Sequence, residues 1–276
     1  MELLDRVTKN DEVLIMGILN VTPDSFSDGG RFLAHDRAKN RALEMEKNGA
    51  DIIDIGGEST RPGADKVELE VELDRTIPVI EEIRKETDIP ISIDTYKSEV
   101  AERALDAGAD IVNDISALRF DPDLGRLAGE RDVPVVLMHM QGDPKTMQKN
   151  PTYDDVVRDI KDFLEKRISK AVELGISRDR IVIDPGIGFG KKLEDNYEIL
   201  RRLDEFESLG CPLLLGTSRK SFIGDTLDLA TDERVEGTIA SNVVGVLKGA
   251  SILRVHDVRE NYRALEVAVR CRPVVD

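Results

Sequence analysis

A run of three β-branched residues that stops at a carboxylate, Ile181-Val182-Ile183-Asp184, shows the pattern on which the chain is built. Such a run is typical of a strand that is buried on both faces, as in parallel sheets. Proline and three glycines follow Asp184, so the backbone turns there and few side chains cover it. An acidic residue at the carboxyl end of a buried strand marks a place where α/β folds bind small molecules. On its own, Asp184 could equally cap the next helix.

Eight apolar runs of this kind recur along the 276 residues, and segments that suit helices lie between them. The predicted strands cover residues 13–19, 51–55, 91–93, 111–112, 135–138, 181–183, 213–215 and 251–253. The predicted helices cover residues 36–48, 69–86, a segment that ends at 107, a short segment that starts at 121, and residues 153–174, 195–207, 232–248 and 260–270. No linker rich in proline, glycine or serine interrupts the pattern, so we expect a single domain over residues 1–276.

Strict alternation of strands and helices predicts an α/β protein with parallel strands. Eight such units close a (β/α)8 TIM barrel of about 250 residues. An open doubly wound sheet alternates in the same way and is the alternative. The barrel is favoured because a residue able to bind or react follows nearly every strand. In an open sheet, such residues would be expected at a single switch point. In a barrel, the carboxyl ends of the strands meet at one mouth, which predicts one active site there.

The composition argues against several classes of protein. With 39 basic and 55 acidic residues, the formal net charge is −16, which disfavours a general binder of nucleic acid or anionic membranes. No stretch approaches the roughly 18 apolar residues of a membrane span, and the first residues lack the apolar segment of a signal peptide. The two cysteines, Cys211 and Cys271, cannot build a disulfide framework and indicate a reducing compartment. We therefore expect a cytoplasmic protein.

Three polar residues at predicted strand ends suit the edge of a flat heterocycle. Asp94 and Asp184 are carboxylates, and Asn113 is an amide. An ionised carboxylate accepts two N–H donors side by side, as an aminopyrimidinone presents them, while an amide can both donate and accept. Any one of these residues could instead cap the following helix, but we consider it less plausible that all three do so.

Basic and potentially basic groups cluster after the second, seventh and eighth strands. They are Arg61, Arg219, Lys220, Arg254 and His256. In so acidic a chain, five such groups aimed at one mouth predict an anionic ligand. Barrels often bind phosphate at the loops after strands seven and eight. Each group could alternatively form a surface ion pair, and Arg219 is the one for which that alternative has most weight.

The loop from Asn20 to Arg31 combines short oxygen-bearing side chains with glycines. It could close over a substrate and help to hold a hard cation beside a diphosphate, or it could be a solvated turn. Neither His139 nor His256 has the partners of a zinc site. The chain contains no P-loop, and the glycine spacing after Asp184 does not fit a dinucleotide-binding loop.

Eight short motifs, taken together, resemble those of the dihydropteroate synthase family. They are NVTPDSFSDGG at residues 20–30, GESTRPG at 57–63, SIDT at 92–95, VND at 112–114, LMHMQG at 137–142, DPGIGFGK at 184–191, SRKS at 218–221 and RVHD at 254–257. The likeness runs from about residue 13 to about residue 260, and as a set the motifs are highly specific. Ile187 stands where an aromatic residue is common, which is a minor change in the pocket wall.

The resemblance implies a transferase of folate biosynthesis. Members of the family use Mg²⁺ to join 6-hydroxymethyl-7,8-dihydropterin diphosphate to p-aminobenzoate, giving 7,8-dihydropteroate and diphosphate. They are sulfonamide targets and usually homodimers. The partners implied are therefore small-molecule substrates and a second copy of the chain.

The resemblance also implies roles for single residues. The pterin would be bound by Asp94, Asn113, Asp184, Lys220 and Arg254. Asn20 would ligate Mg²⁺, and Arg254 and His256 would hold the diphosphate. The p-aminobenzoate site and its closing loops would involve Thr60, Arg61, Phe189 and Ser221. The catalytic residues would be Asp94, Lys220, Arg254 and His256.

A mechanism follows from the chemistry of the implied substrate. A cation on the carbon that loses diphosphate would be delocalised into the electron-rich dihydropterin ring, so departure before attack is our hypothesis. Two other functions stay open at this point. A methyltransferase of the methyltetrahydrofolate type would share the pterin-binding residues but would not need Lys220 or the pair Arg254 and His256. A non-catalytic pterin-binding protein would bind pterin without releasing diphosphate.

Overall fold

Eight parallel strands form the centre of the molecule and close on themselves. The computed structural model describes residues 3–10, 12–22, 31–60 and 63–272. The strands are β1 (Leu14–Asn20), β2 (Ile52–Gly56), β3 (Ile91–Asp94), β4 (Ile111–Asp114), β5 (Val135–Met138), β6 (Ile181–Asp184), β7 (Leu214–Leu215) and β8 (Ile252–Val255). Their order in the sheet is β6-β5-β4-β3-β2-β1-β8-β7, with every pair parallel. A parallel bridge between Ile183 and Leu213 joins β6 to β7, which confirms the (β/α)8 barrel and excludes the open sheet.

Helices follow the strands and surround the barrel. Within the described residues they are α1 (Leu3–Asn10), α2 (Arg31–Lys47), α3 (Leu69–Arg84), α4 (Ser98–Asp106), α5 (Leu124–Arg131), α6 (Val156–Glu173), α7 (Leu193–Arg201), α8 (Ser221–Leu227), α9 (Val235–Leu247) and α10 (Val258–Ala268). Eight of them match the predicted helices, whereas α1 and α8 were not predicted. Both are short, and a helix of two turns carries little periodic signal. Among these helices, none has the length and apolar composition that crossing a bilayer requires.

Two predicted helix boundaries were wrong for identifiable reasons. The segment predicted to start a helix at Asp121 begins its helix only at Leu124. Asp121 instead accepts a hydrogen bond at 2.7 Å from the backbone N–H of Ser98, the first residue of α4. The helix predicted over residues 195–207 ends at Arg201 and continues as a separate 3₁₀ turn over Leu203–Leu209. In both places a local turn replaces part of the regular helix.

The inner face of the barrel has an apolar floor. Side chains from seven strands and from α1 pack together at the amino-terminal end of the barrel. They are Leu4, Val7, Leu14, Met16, Ile52, Ile111, Val136, Val182, Leu214 and Ile252. Because side chains alternate between the two faces of a strand, the residues two positions further along point inward as well. Those residues are polar on several strands, so a polar layer lies above the floor at the carboxyl ends.

The outer face of the barrel packs against the helices and supplies most of the core. Ile53 and Ile55 of β2, for example, belong to one buried cluster with Val79, Ile80 and Ile83 of α3. Each large apolar side chain buried in this way contributes roughly 1.5–3 kcal/mol. The scaffold that positions the polar layer is therefore held from outside by the helices and from below by the floor.

Candidate active site

The polar layer at the barrel mouth brings together residues from separate strands. The strand register pairs Asn20 with Gly56, Gly56 with Asp94, and Asp94 with Asn113. Asp184 ends β6 further round the barrel. Asp94, Asn113 and Asp184 are all buried, with at most 8% of each residue exposed. Four of the predicted site residues thus share one inward-facing layer.

Arg254 of β8 reaches across this layer and joins two carboxylates. Its Nε donates to Asp54 Oδ2 at 2.6 Å, and its Nη2 donates to Asp94 Oδ2 at 2.6 Å. Burial disfavours the charged guanidinium, but the two carboxylates outweigh this and hold the pKa of Arg254 above its ordinary value. Arg254 is therefore a fixed cation at the centre of the mouth.

Asp54 also contacts Asn113, while Asp94 carries a perturbed carboxyl group. The Nδ2 atom of Asn113 lies 3.3 Å from both carboxylate oxygens of Asp54. Burial raises the pKa of Asp94, Arg254 opposes that rise, and the negative charge of Asp54 adds to it. The three side chains and Arg254 form one connected network of charges and hydrogen bonds.

Asp184 does not cap the helix that follows it. Its Oδ1 accepts a 2.7 Å hydrogen bond from the backbone N–H of Gly186, whereas α7 begins only at Leu193. Burial raises the pKa of the Asp184 carboxyl group, and the nearby Lys220 cation opposes this rise. The helix-cap interpretation of Asp184 is therefore excluded, and the carboxylate is held in the mouth by its own loop.

Lys220 lies against the loop between β6 and α7. Its Nζ donates to the backbone carbonyl of Ile187 and lies 4.7 Å from the centroid of the Phe189 ring. Burial lowers the pKa of the Lys220 ammonium to about 8, with Asp184 acting in the opposite direction. The structure thus brings together Lys220, Asp184 and Phe189, and their assigned roles stay predictions.

The residues after β7 and β8 separate into two pairs. Ser218 Oγ lies 3.0 Å from His256 Nδ1 and accepts a hydrogen bond from the backbone N–H of His256 at 3.1 Å. Arg219 instead forms a two-pronged ion pair with Asp257, whose Oδ2 lies 2.9 Å from Arg219 Nε. The ion-pair alternative for Arg219 is therefore the one that the structure contains, and His256 is held near Ser218.

Two further predicted site residues, Thr60 and Ser221, follow β2 and β7. Thr60 follows β2 and is half-buried, and Ser221 is exposed at the start of α8. Arg61 lies outside the described residues, as do residues 23–30 of the loop after Asn20. For Arg61 and for that loop, the assigned roles stay predictions.

An apolar wall flanks the polar layer. It is formed by Ile115, Met138, Met140 and Met147, with Tyr96 and Phe189 packed against them. Methionine adapts its shape to aromatic surfaces and makes favourable contacts with ring edges. A barrel mouth with a few convergent polar groups and an apolar wall is suited to a flat ring whose edge carries N–H groups.

An ion cluster ties the base of the β2 loop to neighbouring elements. Lys97 Nζ donates to Glu58 at 2.7 Å and to Glu72 of α3 at 2.5 Å. The Tyr96 hydroxyl donates to the other carboxylate oxygen of Glu58 at 2.8 Å. Because Glu58 is two residues before Thr60, these contacts fix where the loop leaves β2.

Two buried ionisable residues beside the site, Asp54 and Lys191, were not predicted as site residues. Asp54 was interpreted as part of a strand buried on both faces, although its spacing of two from Ile52 could have placed it on the inner face. Lys191 ends a recognised motif, but its partner was not predictable from local sequence. Its Nζ lies 3.0 Å from His139 Nδ1 and donates to the Phe189 carbonyl at 2.9 Å.

Lys191→Met is expected to flatten the rise of the free energy of unfolding over the pH range just below about 10.4, the ordinary pKa of lysine. Burial holds the pKa of the Lys191 ammonium well below its ordinary value. The unfolded chain therefore binds a proton that the folded protein lacks in this range, so wild-type stability rises with pH until the unfolded lysine also deprotonates. Urea unfolding at several pH values measures the slope. Lys192→Met, at the exposed neighbouring position, is the control, and equal slopes for wild type and Lys191→Met would contradict the prediction.

Comparison with known proteins identifies the family. The sequence pattern of the pterin binding enzyme family matches residues 16–256. Dihydropteroate synthase from Synechocystis sp. is 50% identical over 255 residues, covering 92% of this chain and 88% of that protein. The structure of Yersinia pestis dihydropteroate synthase in complex with a sulfonamide drug gives a TM-score of 0.90 at 45% identity, covering 95% of this chain and 94% of that chain. Xanthomonas albilineans dihydropteroate synthase in complex with 7,8-dihydropteroate gives a TM-score of 0.85 at 42% identity, covering 95% of each chain.

The likeness extends over almost the whole chain and includes the barrel that carries the site. It confirms the resemblance given by the eight motifs, together with the enzyme class that they imply. By its sequence, its barrel and its relatives, this chain belongs to the pterin binding enzymes and, among them, to the dihydropteroate synthases, which are transferases of folate biosynthesis.

Proposed function

We propose that this transferase condenses 6-hydroxymethyl-7,8-dihydropterin diphosphate with p-aminobenzoate, giving 7,8-dihydropteroate and diphosphate. One observation carries the proposal: two buried carboxylates and an amide, from Asp94, Asp184 and Asn113, share the inner face of one barrel mouth. The complex of the Xanthomonas enzyme with 7,8-dihydropteroate supports it, because that molecule is the product of the proposed reaction.

The pterin would lie with its N–H edge on the polar layer. Carboxylates accept the ring N–H groups, and the Asn113 amide supplies a further contact. Lys220 and Arg254 would flank the ring, because both cations already lie at the mouth beside Asp184 and Asp94. The apolar wall would cover the remaining ring surface.

Arg254 and His256 would hold the diphosphate, since Arg254 lies near the end of the eighth strand and His256 directly follows that strand, where barrels commonly bind phosphate. Asn20 is the residue that we assign to Mg²⁺. Its amide oxygen is a hard donor, and a Cβ on Gly56 would lie 3.8 Å from that oxygen and 3.7 Å from Asp94 Oδ2, so both face one space. Mg²⁺ usually takes few protein ligands beside phosphates, so the donor set fits. When bound, the ion would neutralise charge on the diphosphate.

We further propose that diphosphate leaves before the amine attacks. The bond between the methylene carbon and the diphosphate oxygen breaks, and its electron pair stays with diphosphate. The positive charge left behind spreads into the dihydropterin ring, where ionised Asp94 stabilises it. The amine nitrogen of p-aminobenzoate then forms the new C–N bond and loses one proton. Exclusion of water by the closing loops protects the cation until that step.

The p-aminobenzoate site would lie between the β2 loop and the start of α8. Phe189 would form part of its wall, with Thr60, Arg61 and Ser221 contributing from the loops. The sulfonamide complex of the Yersinia enzyme supports a sulfonamide-sensitive site in this protein. We also propose that the protein is cytoplasmic, as its composition indicates, and a homodimer, as the family resemblance implies. Sedimentation velocity tests the dimer.

Diphosphate release from the pterin diphosphate is the experiment that tests the function. With Mg²⁺ and p-aminobenzoate, we expect one dihydropteroate formed for each diphosphate released, and we expect EDTA to abolish both. Release without incorporation of the amine would support early departure of diphosphate but would point to another acceptor. Pterin binding without release would leave a binding protein, and methyl transfer from a methylated folate would indicate the methyltransferase alternative.

A further inference from the structure

We infer that Asp54 is a positioning residue, which holds Arg254 so that Asp94 stays available to the pterin. The inference rests on the proposed function and adds a residue to it. Asp54 is fully buried on β2, two residues before the strand ends at Gly56. It lies too deep to be a strand-end ligand of the usual kind, yet it contacts two residues assigned to the pterin, Arg254 and Asn113.

The charges in the network explain why a second carboxylate is needed. Arg254 provides one positive charge that Asp54 and Asp94 share: its Nη2 lies 2.6 Å from an oxygen of each carboxylate, and its Nε donates to Asp54 as well. A pterin that donates N–H groups to Asp94 must compete with the Nη2 atom of Arg254 for the same carboxylate. If Asp54 holds Arg254 by Nε, Arg254 can give up its contact with Asp94 and still keep a charged partner. Without Asp54, Asp94 would be the one carboxylate of the described residues still hydrogen-bonded to the buried guanidinium, with Asp184 acting on it only through its charge.

Asp54 also fixes the amide of Asn113. An ionised carboxylate can only accept hydrogen bonds, so the Nδ2 group of Asn113 turns toward Asp54. The carbonyl oxygen of the same amide is then presented to the mouth as an acceptor. An asparagine at position 54 would still offer an oxygen to Asn113. The substitution Asp54→Asn therefore removes the charge that holds Arg254 while it preserves this second contact.

The test is a double-mutant cycle between Asp54→Asn and Arg254→Gln. Two quantities are measured: the Kd of 6-hydroxymethyl-7,8-dihydropterin, which lacks the leaving group and cannot react, and kcat/KM for the pterin diphosphate. In the wild-type background, we expect Asp54→Asn to raise the Kd and to lower kcat/KM by about tenfold or more each, because one partner of a buried charged pair is lost. In the Arg254→Gln background, the same substitution is expected to change the Kd and kcat/KM by less than about threefold. The KM for p-aminobenzoate should change little in either background.

Asp51→Asn is the matched control. Asp51 precedes the same strand at its other end, where it accepts hydrogen bonds from Arg6 and from the backbone N–H of Ile15. This variant should lose stability without any change in the Kd of the pterin. If Asp54→Asn does not fold, Asp54→Glu keeps the charge but displaces it by one methylene, and the same selective loss of pterin affinity is expected.

The outcomes separate this inference from the proposed function. If Asp54→Asn reduced pterin affinity and kcat/KM equally in both backgrounds, Asp54 would act only on the structure, and the inference would be overturned. A loss that is confined to stability would also overturn it. An unsubstituted protein that forms no dihydropteroate would refute the proposed function instead. A wild type that is active, together with a strongly non-additive cycle, would support both.

Discussion

Asp94→Asn is expected to lower kcat by roughly 100- to 1,000-fold, while pterin affinity falls by less than about tenfold. The substitution keeps the shape of the side chain and leaves an oxygen to accept a hydrogen bond. It removes the negative charge that stabilises the cationic ring after diphosphate departs, and it removes one of the two carboxylates that hold Arg254. Steady-state rates and pterin binding, measured on the same preparation, separate the two effects.

Asp114→Asn is the control for that experiment. Asp114 is also fully buried, but it neighbours Asn113 on β4 and therefore faces away from the barrel interior. Its oxygens accept hydrogen bonds from the backbone N–H groups of Ser116 and Leu118. We expect this variant to lose stability and to keep most of its turnover per folded molecule. Near-normal kcat in Asp94→Asn would show that the electrostatic role assigned to Asp94 is wrong.

The barrel was predictable because its signals are local and repeated. Each strand is a short apolar run, and each run ends at a polar residue or a glycine, so strand number and strand ends follow from the sequence. Asp94, Asn113 and Asp184 were identified for that reason, since all three stand at strand ends. The helices α1 and α8 were missed because each is too short to show a period.

The contacts inside the mouth were beyond the reach of the sequence. Asp54 and Arg254 are 200 positions apart, and only closure of the barrel, with a defined register between the strands, brings them together. The pair of His139 and Lys191 depends in the same way on how the β6 loop folds back over β5. Fold class follows from periodicity, whereas the partner of a buried charge follows from three-dimensional register.

Gly186→Ala is expected to cost roughly 2–5 kcal/mol in the free energy of unfolding. Gly186 has φ +69°, which L-residues with a side chain adopt at a cost. A Cβ at this position would also lie 1.9 Å from the carbonyl oxygen of His139. That oxygen belongs to the backbone directly after β5. The backbone N–H of His139 donates a 2.9 Å hydrogen bond to the backbone carbonyl of Asp184, which holds this segment in place. The clash cannot be relieved by moving a flexible side chain.

Gly210→Ala separates the two causes of that loss. Gly210 has φ +64°, nearly the same backbone conformation, but an added Cβ would meet only the end of the Arg178 side chain, at 3.8 Å. It should therefore cost about 1 kcal/mol, the conformational share alone. Urea unfolding of both variants measures the difference, and equal losses of stability would show that the contact with His139 is relieved easily.

Because the backbone N–H of Gly186 donates a hydrogen bond to the Asp184 carboxylate, any backbone shift in Gly186→Ala also moves a carboxylate assigned to the pterin. The folded fraction of this variant should then bind pterin more weakly, whereas Gly210→Ala should bind it normally.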